Sequence, residues 1–256
     1  MAQLKPEILA LGHGWIAIDK PAGMSVHNDA DGSDAIQIVR TWLESSDPEA
    51  LKAATATHWE KAKFPPAPVH RLDRETSGIL LLATRRDEAT KLQQAMEKRE
   101  SRKIYRAILR GKLREESGKW HWPLSDKAEG RMNPQGKAAD RKDCETRFRV
   151  LRANDHLSEI ELELITGRQH QIRRHAALAK HAVVGDKRYG DMKHSNLIAK
   201  LFGVERMLLH ASSLEIYIGE TSYLKVEAPL PDEFSKVFGV PSAQATSTVR
   251  PDRKEG

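Results

Sequence analysis

Asp73 stands between Arg71 and Arg74 in the stretch HRLDRETSG. A carboxylate held among cations has two readings. It is a structural ion pair, or it is a nucleophile or base kept ionised by its neighbours for work on a bound polyanion. In extended or turn backbone Arg71 and Asp73 project alike and Arg74 projects oppositely. On the chemical reading the arginines hold phosphates while the carboxylate faces a sugar or a base. Other side chains are weaker candidates. Ser77 lacks the Gly-x-Ser-x-Gly frame and precedes a strand instead of following one, so its hydroxyl reads as a turn group. His170, His175, His181, His194 and His210 invite zinc, but His170 and His175 lie about 140° apart around a helix. No cysteine pair is available, since Cys144 is alone. GRQHQIRRH has one glycine where a phosphate loop needs several. No metal and no cofactor is expected.

The elements that must position Asp73 are legible around it. Ile79 to Ala83 is a short apolar run with no polar face, which suits a fully buried strand directly after the Asp73 loop. Trp15–Ile18 reads as a strand, followed by a Pro-Gly turn at Pro21–Gly23. A helix is predicted from Ser33 to Leu43, with Ile36, Val39 and Leu43 on one face. A polar connection, with room for a short helix, runs from there to the prolines before Val69. Thr84–Glu100 reads as a helix with Ala89, Leu92, Ala95 and Met96 on one face and Asp87 and Glu88 in its first turn. Ile104–Arg110 alternates as a strand, with Tyr105, Ala107 and Leu109 on one side. PLSDKAEGRMNPQGKAADRK reads as a long polar loop. Strands are predicted at Glu145–Leu151 and Glu159–Ile165, a helix from Arg168 to Lys180, and a final hairpin formed by MLLHASSLEIYI and TSYLKVEA, joined near Gly219. Strands that mostly follow one another argue for an α+β fold with a mixed, largely antiparallel sheet. Residues 1–238 are expected to form one catalytic domain, and 239–256 a tail too polar to fold.

Composition narrows the class. The chain has 256 residues and 39% apolar content, enough for a core. One cysteine excludes an internal disulfide and fits a reducing compartment. No apolar run approaches a membrane span, and the N-terminus lacks a signal-peptide core, so a cytoplasmic location is expected. Forty-two Lys and Arg against thirty-six Asp and Glu give a net charge of +6. The excess concentrates in KRESRKIYRAILRGKLR and GRQHQIRRH, which favours a polyanionic partner. Aromatic content of 5% argues against a broad stacking platform for single strands.

HRLDRETSGILLLA resembles the signature of the RluA-type pseudouridine synthases. WIAIDKPAGMSVH is similar to that family's N-terminal strand and Lys-Pro-Gly turn, and RKIYRAILRG to its second motif, with Tyr105 at the tyrosine position. GKAADRKDCETRFRVL is similar to its Gly-Lys-x-Ala element with extra residues inserted, and LITGRQHQIRRHAALAKHAVVGDKRYGD to its third motif over the full length. The resemblance implies the pseudouridine synthase fold, with flanking helices and a cleft across the middle of the sheet. It implies isomerisation of a uridine in RNA, without cofactor or metal. Carried over residue by residue, it makes Asp73 the essential carboxylate, Tyr105 the ring against the target base, and Arg173 the partner that orients Asp73. Arg71 enters the space left by a flipped nucleotide. Arg71, Arg74, Arg168, His170, Gln171 and Arg174 are the expected RNA-binding residues. Asp73 either attacks the sugar carbon or removes a sugar proton; both routes need an ionised carboxylate.

HQIRRH, GDKRYGD and NLIAKLFGVERMLLHAS resemble the branch that modifies an acceptor-stem uridine in tRNA. The motifs begin almost at the first residue, leaving no room for the S4-like module that many ribosomal RNA enzymes of the family carry. The expected partner is therefore RNA, with tRNA favoured and ribosomal RNA the alternative. No membrane partner is expected, and the protein should act as a monomer. A reading of a different class is an RNA-binding or folding factor without catalysis.

Overall fold

The computed structural model describes residues 6–27, 33–46, 65–98, 100–218 and 222–238. The N-terminal strands β1 (Glu7–Gly12) and β2 (Trp15–Lys20) pair antiparallel. Helix α1 (Ala35–Ser45) follows, capped by Asp34, whose carboxylate accepts the Gln37 N–H at 3.0 Å. Then come β3 (Ala67–Pro68), β4 (Ser77–Ala83), α2 (Arg86–Glu97), β5 (Ser101–Arg110) and β6 (Ser117–Trp120). A small pair, β7 (Leu124–Ser125) and β8 (Arg141–Lys142), precedes β9 (Thr146–Ala153) and β10 (Leu157–Leu164). Among the described residues the last elements are α3 (Gln171–Leu178), α4 (Met192–Phe202), β11 (Leu209–Ile218), β12 (Ser222–Glu227) and α5 (Asp232–Phe238).

The main sheet has ten strands in the order β1-β2-β4-β11-β5-β10-β9-β6, with β12 added to β11 and β3 to β4. Its pairings are antiparallel except for β4 with β11, which join in parallel at His210↔Ser77 and Ala211↔Gly78. Every residue of β4 is buried. Leu80 and Leu82 pack with Ile16, Ile18 and α1 on one face, while Ile79 and Leu81 pack with α2, Leu214 and Val226 on the other. A strand covered on both faces has no polar side to show, which is why its sequence carries no alternation. Gly78 makes the parallel join possible. Its φ is +107°, and a Cβ there would lie 2.2 Å from the Ala211 carbonyl oxygen.

The predicted strands and helices mostly stand, with shifted ends. The first helix starts at Ala35 and the second spans Arg86–Glu97. The third is shorter than predicted, because His170 takes a left-handed conformation (φ 52°) and the helix begins only at Gln171. The predicted polar loop from Pro123 instead holds the β7–β8 pair and a 3₁₀ turn at Ala138–Asp140. Strands β1 and β6 and helices α4 and α5 had no counterpart in the sequence reading. Most of the polar connection before the prolines, the hairpin tip near Gly219 and the tail from 239 lie outside the described residues. Among the described residues, no helix is long and apolar enough to cross a membrane.

Candidate active site

Asp73 lies in the loop that enters β4, at the seam where β4 meets β11. The loop is pinned from two sides. The Thr76 N–H donates to the Asp73 carbonyl at 3.1 Å, and the Gly23 N–H donates to the Arg74 carbonyl at 2.8 Å. The Arg74 side chain returns the contact, its Nε donating to the Gly23 carbonyl at 2.9 Å. The Lys-Pro-Gly turn therefore clamps the Asp73 loop. Lys20 reinforces the clamp from beneath. Its Nζ donates to the carbonyls of Pro21, Met24 and Arg74 at 3.0, 2.8 and 3.2 Å. Burial pulls the Lys20 pKa down to about 7, against the nearby Asp73 and Glu75 carboxylates, which favour its charged form. Sequence reasoning missed Lys20, although Lys20 falls on the same side of β2 as the buried Ile16 and Ile18.

Arg173, in the first turn of α3, binds three carboxylates. Its Nη1 donates to Asp73 Oδ2 and to Glu75 Oε2, each at 3.1 Å. Its Nε and Nη2 form a fork on Asp186, at 2.7 and 2.9 Å. Asp186 is itself fixed by the backbone N–H groups of Arg188 and Tyr189, at 2.9 and 3.1 Å. The Arg173 side chain is only 2% exposed and the Asp73 side chain 16%, so the pair faces a recess and not bulk water. The Arg173 hydrogen bonds hold the Asp186 carboxyl below its ordinary value, overcoming the opposing effect of burial. Asp186 belongs to GDKRYGD and was missed as a site residue. A detectable signal was its place after Gly185, whose φ of +78° and close approach to the Arg206 carbonyl exclude any side chain.

The recess is a cleft of about 230 Å³ lined by Asp73 and Arg173, with Arg71, Tyr105, Arg168 and His170 among its other walls. Tyr105 rises from β5 opposite Ala211 of β11 and is 7% exposed. Burial, with a smaller push from Asp73, raises its phenol well above the ordinary value, so it stays neutral. His170 Nε2 lies 3.8 Å from Asp73 Oδ1, and its Nδ1 is 3.1 Å from the Tyr189 hydroxyl. Burial lowers the His170 pKa, against the pull of Asp73 toward the charged form. Lys103, which also lines the cleft, has its pKa lowered by burial.

Arg71 is exposed and lines the cleft beside Asp73, whereas Arg74 turns away to Gly23. Arg168 donates from Nη1 to Asp126 at 3.0 Å and keeps a buried Nε with no partner among the described residues. Two expected RNA-binding residues have their polar groups committed within the protein. Arg174 is fully buried and its guanidinium is saturated. It binds the carbonyls of Pro134, Ser125, Gln169 and Gln135 and the Ser125 hydroxyl, leaving no N–H for a phosphate. Gln171 is also buried. Its amide donates to the Glu145 carbonyl and the Thr146 hydroxyl, and its oxygen accepts from Thr166 and the Arg168 N–H. Arg174 points to the inner side of α3, away from the cleft, whereas Gln171 lies against the cleft wall with its amide committed within the protein. Ser77 faces His210 at 2.9 Å, in a buried contact that β4 and β11 bring together. Among the described residues no His, Cys, Asp or Glu cluster could hold a metal.

Residues 14–178 match the model of the RNA pseudouridylate synthase family. The chain belongs to this family. It is 32% identical over 246 residues to a protein of Vibrio vulnificus named tRNA pseudouridine synthase C, covering 91% of this chain and 92% of the relative. It is 30% identical to a ribosomal large subunit pseudouridine synthase C of Vibrio parahaemolyticus, over 93% of this chain and 70% of the relative. A solved human structure, RNA pseudouridylate synthase domain containing 4, superposes with a TM-score of 0.69 at 24% identity, covering 91% of this chain and 92% of that one. The protein is thus an isomerase of the pseudouridine synthase class with the pseudouridine synthase fold, and the α+β architecture agrees.

Proposed function

We propose that this pseudouridine synthase acts on a uridine in tRNA and that Asp73 is its essential carboxylate. The observation that carries the reading is the ion pair at the cleft wall: Arg173 Nη1 lies 3.1 Å from Asp73 Oδ2, with Tyr105 lining the same recess. Isomerisation breaks the bond from uracil N1 to the sugar, turns the base, and joins C5 to the same sugar carbon. N1 gains a proton and C5 gives one up. A stacked base cannot turn, so it must be extruded, at a cost of roughly a few kcal/mol. Arg71, exposed at the cleft mouth, fills the gap and offsets part of that cost. Tyr105 offers a neutral ring face that retains the base without fixing its rotation. A cleft of about 230 Å³ suits one base better than a larger ligand, being smaller than the roughly 300–1,000 Å³ of pockets for drug-sized molecules. Asp73 attacks the sugar carbon or removes a sugar proton, and Arg173 orients it for either route.

Support for tRNA comes from the relatives named tRNA pseudouridine synthase C, which match over nearly their whole length. The relatives named as ribosomal enzymes keep ribosomal RNA as the second reading. Incubating the protein with transcribed tRNA and, separately, with ribosomal RNA fragments, then mapping pseudouridine chemically, tests both. Product is expected in tRNA beyond one equivalent of enzyme, which a non-catalytic RNA binder could not give. Asp73→Asn should bind tRNA and yield no product. Product from that variant would remove Asp73 from the mechanism.

A further inference from the structure

A second recess opens at the far end of α3. It is an open groove of about 710 Å³ between β6, the loop leaving β5 and the residues that follow α3. Its floor is aromatic. Trp120 and Phe148 pack with ring centroids 4.8 Å apart. Trp122 lies beside them with 39% of its surface exposed. It is not a loose surface ring. It meets His175 edge-on at 6.1 Å, and its carbonyl is held by His175 Nε2 and the Cys144 thiol.

The rim is basic. Lys112, Arg114, Lys119 and Lys180 line it and are exposed, with Glu115 the one carboxylate in the lining. Lys112 lies 3.8 Å from Asp155. Among the described residues, Arg114, Lys119 and Lys180 have no ion-pair partner. Elsewhere on the same sheet the arginines are matched. Arg102 meets Glu163, Arg106 and Arg152 meet Glu159, and Arg149 meets Glu161. Exposed lysines such as Lys127, Lys137 and Lys200 also have no ion-pair partner among the described residues, but only here do such cations gather around an exposed tryptophan over an aromatic floor, and that combination points to an anionic, stacking ligand.

Position supplies the second argument. Arg173 lies in the first turn of α3, and Leu178 at its end lines the groove. Eight residues of helix span about 12 Å, so a strand whose uridine sits in the cleft has flanking nucleotides within reach of Trp122. Ile172 and Ala176 of α3 share a core with Trp120 and Phe148, which sets groove and cleft on a common support.

We propose that this groove binds an unpaired nucleotide of the RNA substrate near the target uridine, its base stacked on Trp122 and its phosphates on Arg114, Lys119 and Lys180. This rests on the RNA-modifying function proposed above. The test measures binding of end-labelled tRNA across a salt series, together with kcat and KM for pseudouridine formation. Trp122→Ala should weaken binding by roughly 5- to 100-fold, the range for losing one stacked base, while Trp122→Phe restores most of it. The double variant Lys119→Glu/Lys180→Glu should flatten the log–log salt dependence by about 1.4, two single-strand phosphate contacts at about 0.7 each. KM should rise in both with kcat unchanged at saturating RNA. Lys193→Glu/Lys200→Glu on α4, the same charge change away from the groove, is the control. Wild-type affinity and salt slope in both groove variants, or equal losses in the α4 double variant, overturn the proposal. The two readings fail separately: absence of pseudouridine with the wild-type protein defeats the proposed activity, and the binding series still decides the groove.

Discussion

At the scale of single residues, Tyr105 and Asp186 divide the proposed site into a ring that lines the cleft and a carboxylate that holds Arg173. Tyr105 is kept neutral by burial, and its proposed contribution is a ring face. Tyr105→Phe should then retain most of kcat, while Tyr105→Ala should lose roughly 5- to 100-fold, the order expected when a base loses its stacking partner. Equal losses in the two would assign the work to the hydroxyl. Asp186 is buried behind Arg173 and does not line the cleft. It takes the Nε and Nη2 fork of Arg173, leaving Nη1 for Asp73 and Glu75. Asp186→Asn leaves a buried guanidinium short of charge, a change that costs about 3–5 kcal/mol when a buried pair is broken. The melting temperature should fall accordingly. Below the melting range, kcat should fall with KM for tRNA little changed, because Asp73 loses its alignment and not its RNA. An unaltered kcat in the folded variant would show that Arg173 needs no second carboxylate.

At the scale of elements, the Asp73 loop is a joint between three pieces: the Lys-Pro-Gly turn, the parallel seam of β4 with β11, and the start of α3. The sequence displayed the first piece as a turn and β4 as a buried run, so Asp73 could be placed at the entrance to a strand. The seam was invisible, because a parallel contact between residues 77–78 and 210–211 leaves no local pattern. The same limit explains Arg174. Paired arginines in HQIRRH look alike as letters, but one helical step of about 100° turns the second away from the cleft. Arg173 reaches Asp73, and Arg174 reaches the β7–β8 segment instead. Helix α4 escaped because Leu197 and Leu201 are exposed, so its apolar positions do not mark a single buried stripe. Lys20 escaped because a lysine among apolar residues reads as a strand end. Arg174 gives a prediction at this scale. Arg174→Lys cannot reach the four carbonyls and the Ser125 hydroxyl that the guanidinium spans. It should destabilise the β7–β8 segment, raising amide exchange around Ser125 and Gln135, while tRNA affinity stays at the wild-type level. A loss of affinity and salt slope without faster exchange would return Arg174 to the RNA-binding set.

For the whole molecule, buried neutral histidines set how the fold responds to acid. His175 and His210 are fully buried. His175 is enclosed by Thr146 and the Trp122 carbonyl, and His210 lies against Ser77. Burial pushes both pKa values down to about 4, from the ordinary imidazole value of 6.5. The sign follows from proton counting. Between about pH 6.5 and 4 the unfolded chain binds protons at these rings and the folded chain does not, so stability falls as pH falls through that window. The loss reaches about 3 kcal/mol per ring, at about 1.36 kcal/mol for each pKa unit. Asp186, held low by Arg173, keeps its charge in the folded state as the pH drops further and adds its share of the loss last. Denaturant midpoints measured from pH 7 to 4 should therefore drop most steeply between 6 and 4.5, before carboxylate protonation dominates. His210→Gln should flatten that slope, since Gln does not titrate, even if its stability at pH 7 is lower. A variant that keeps the wild-type slope would shift the acid sensitivity away from the seam between β4 and β11, where Ser77 and His210 meet just after the loop that carries Asp73.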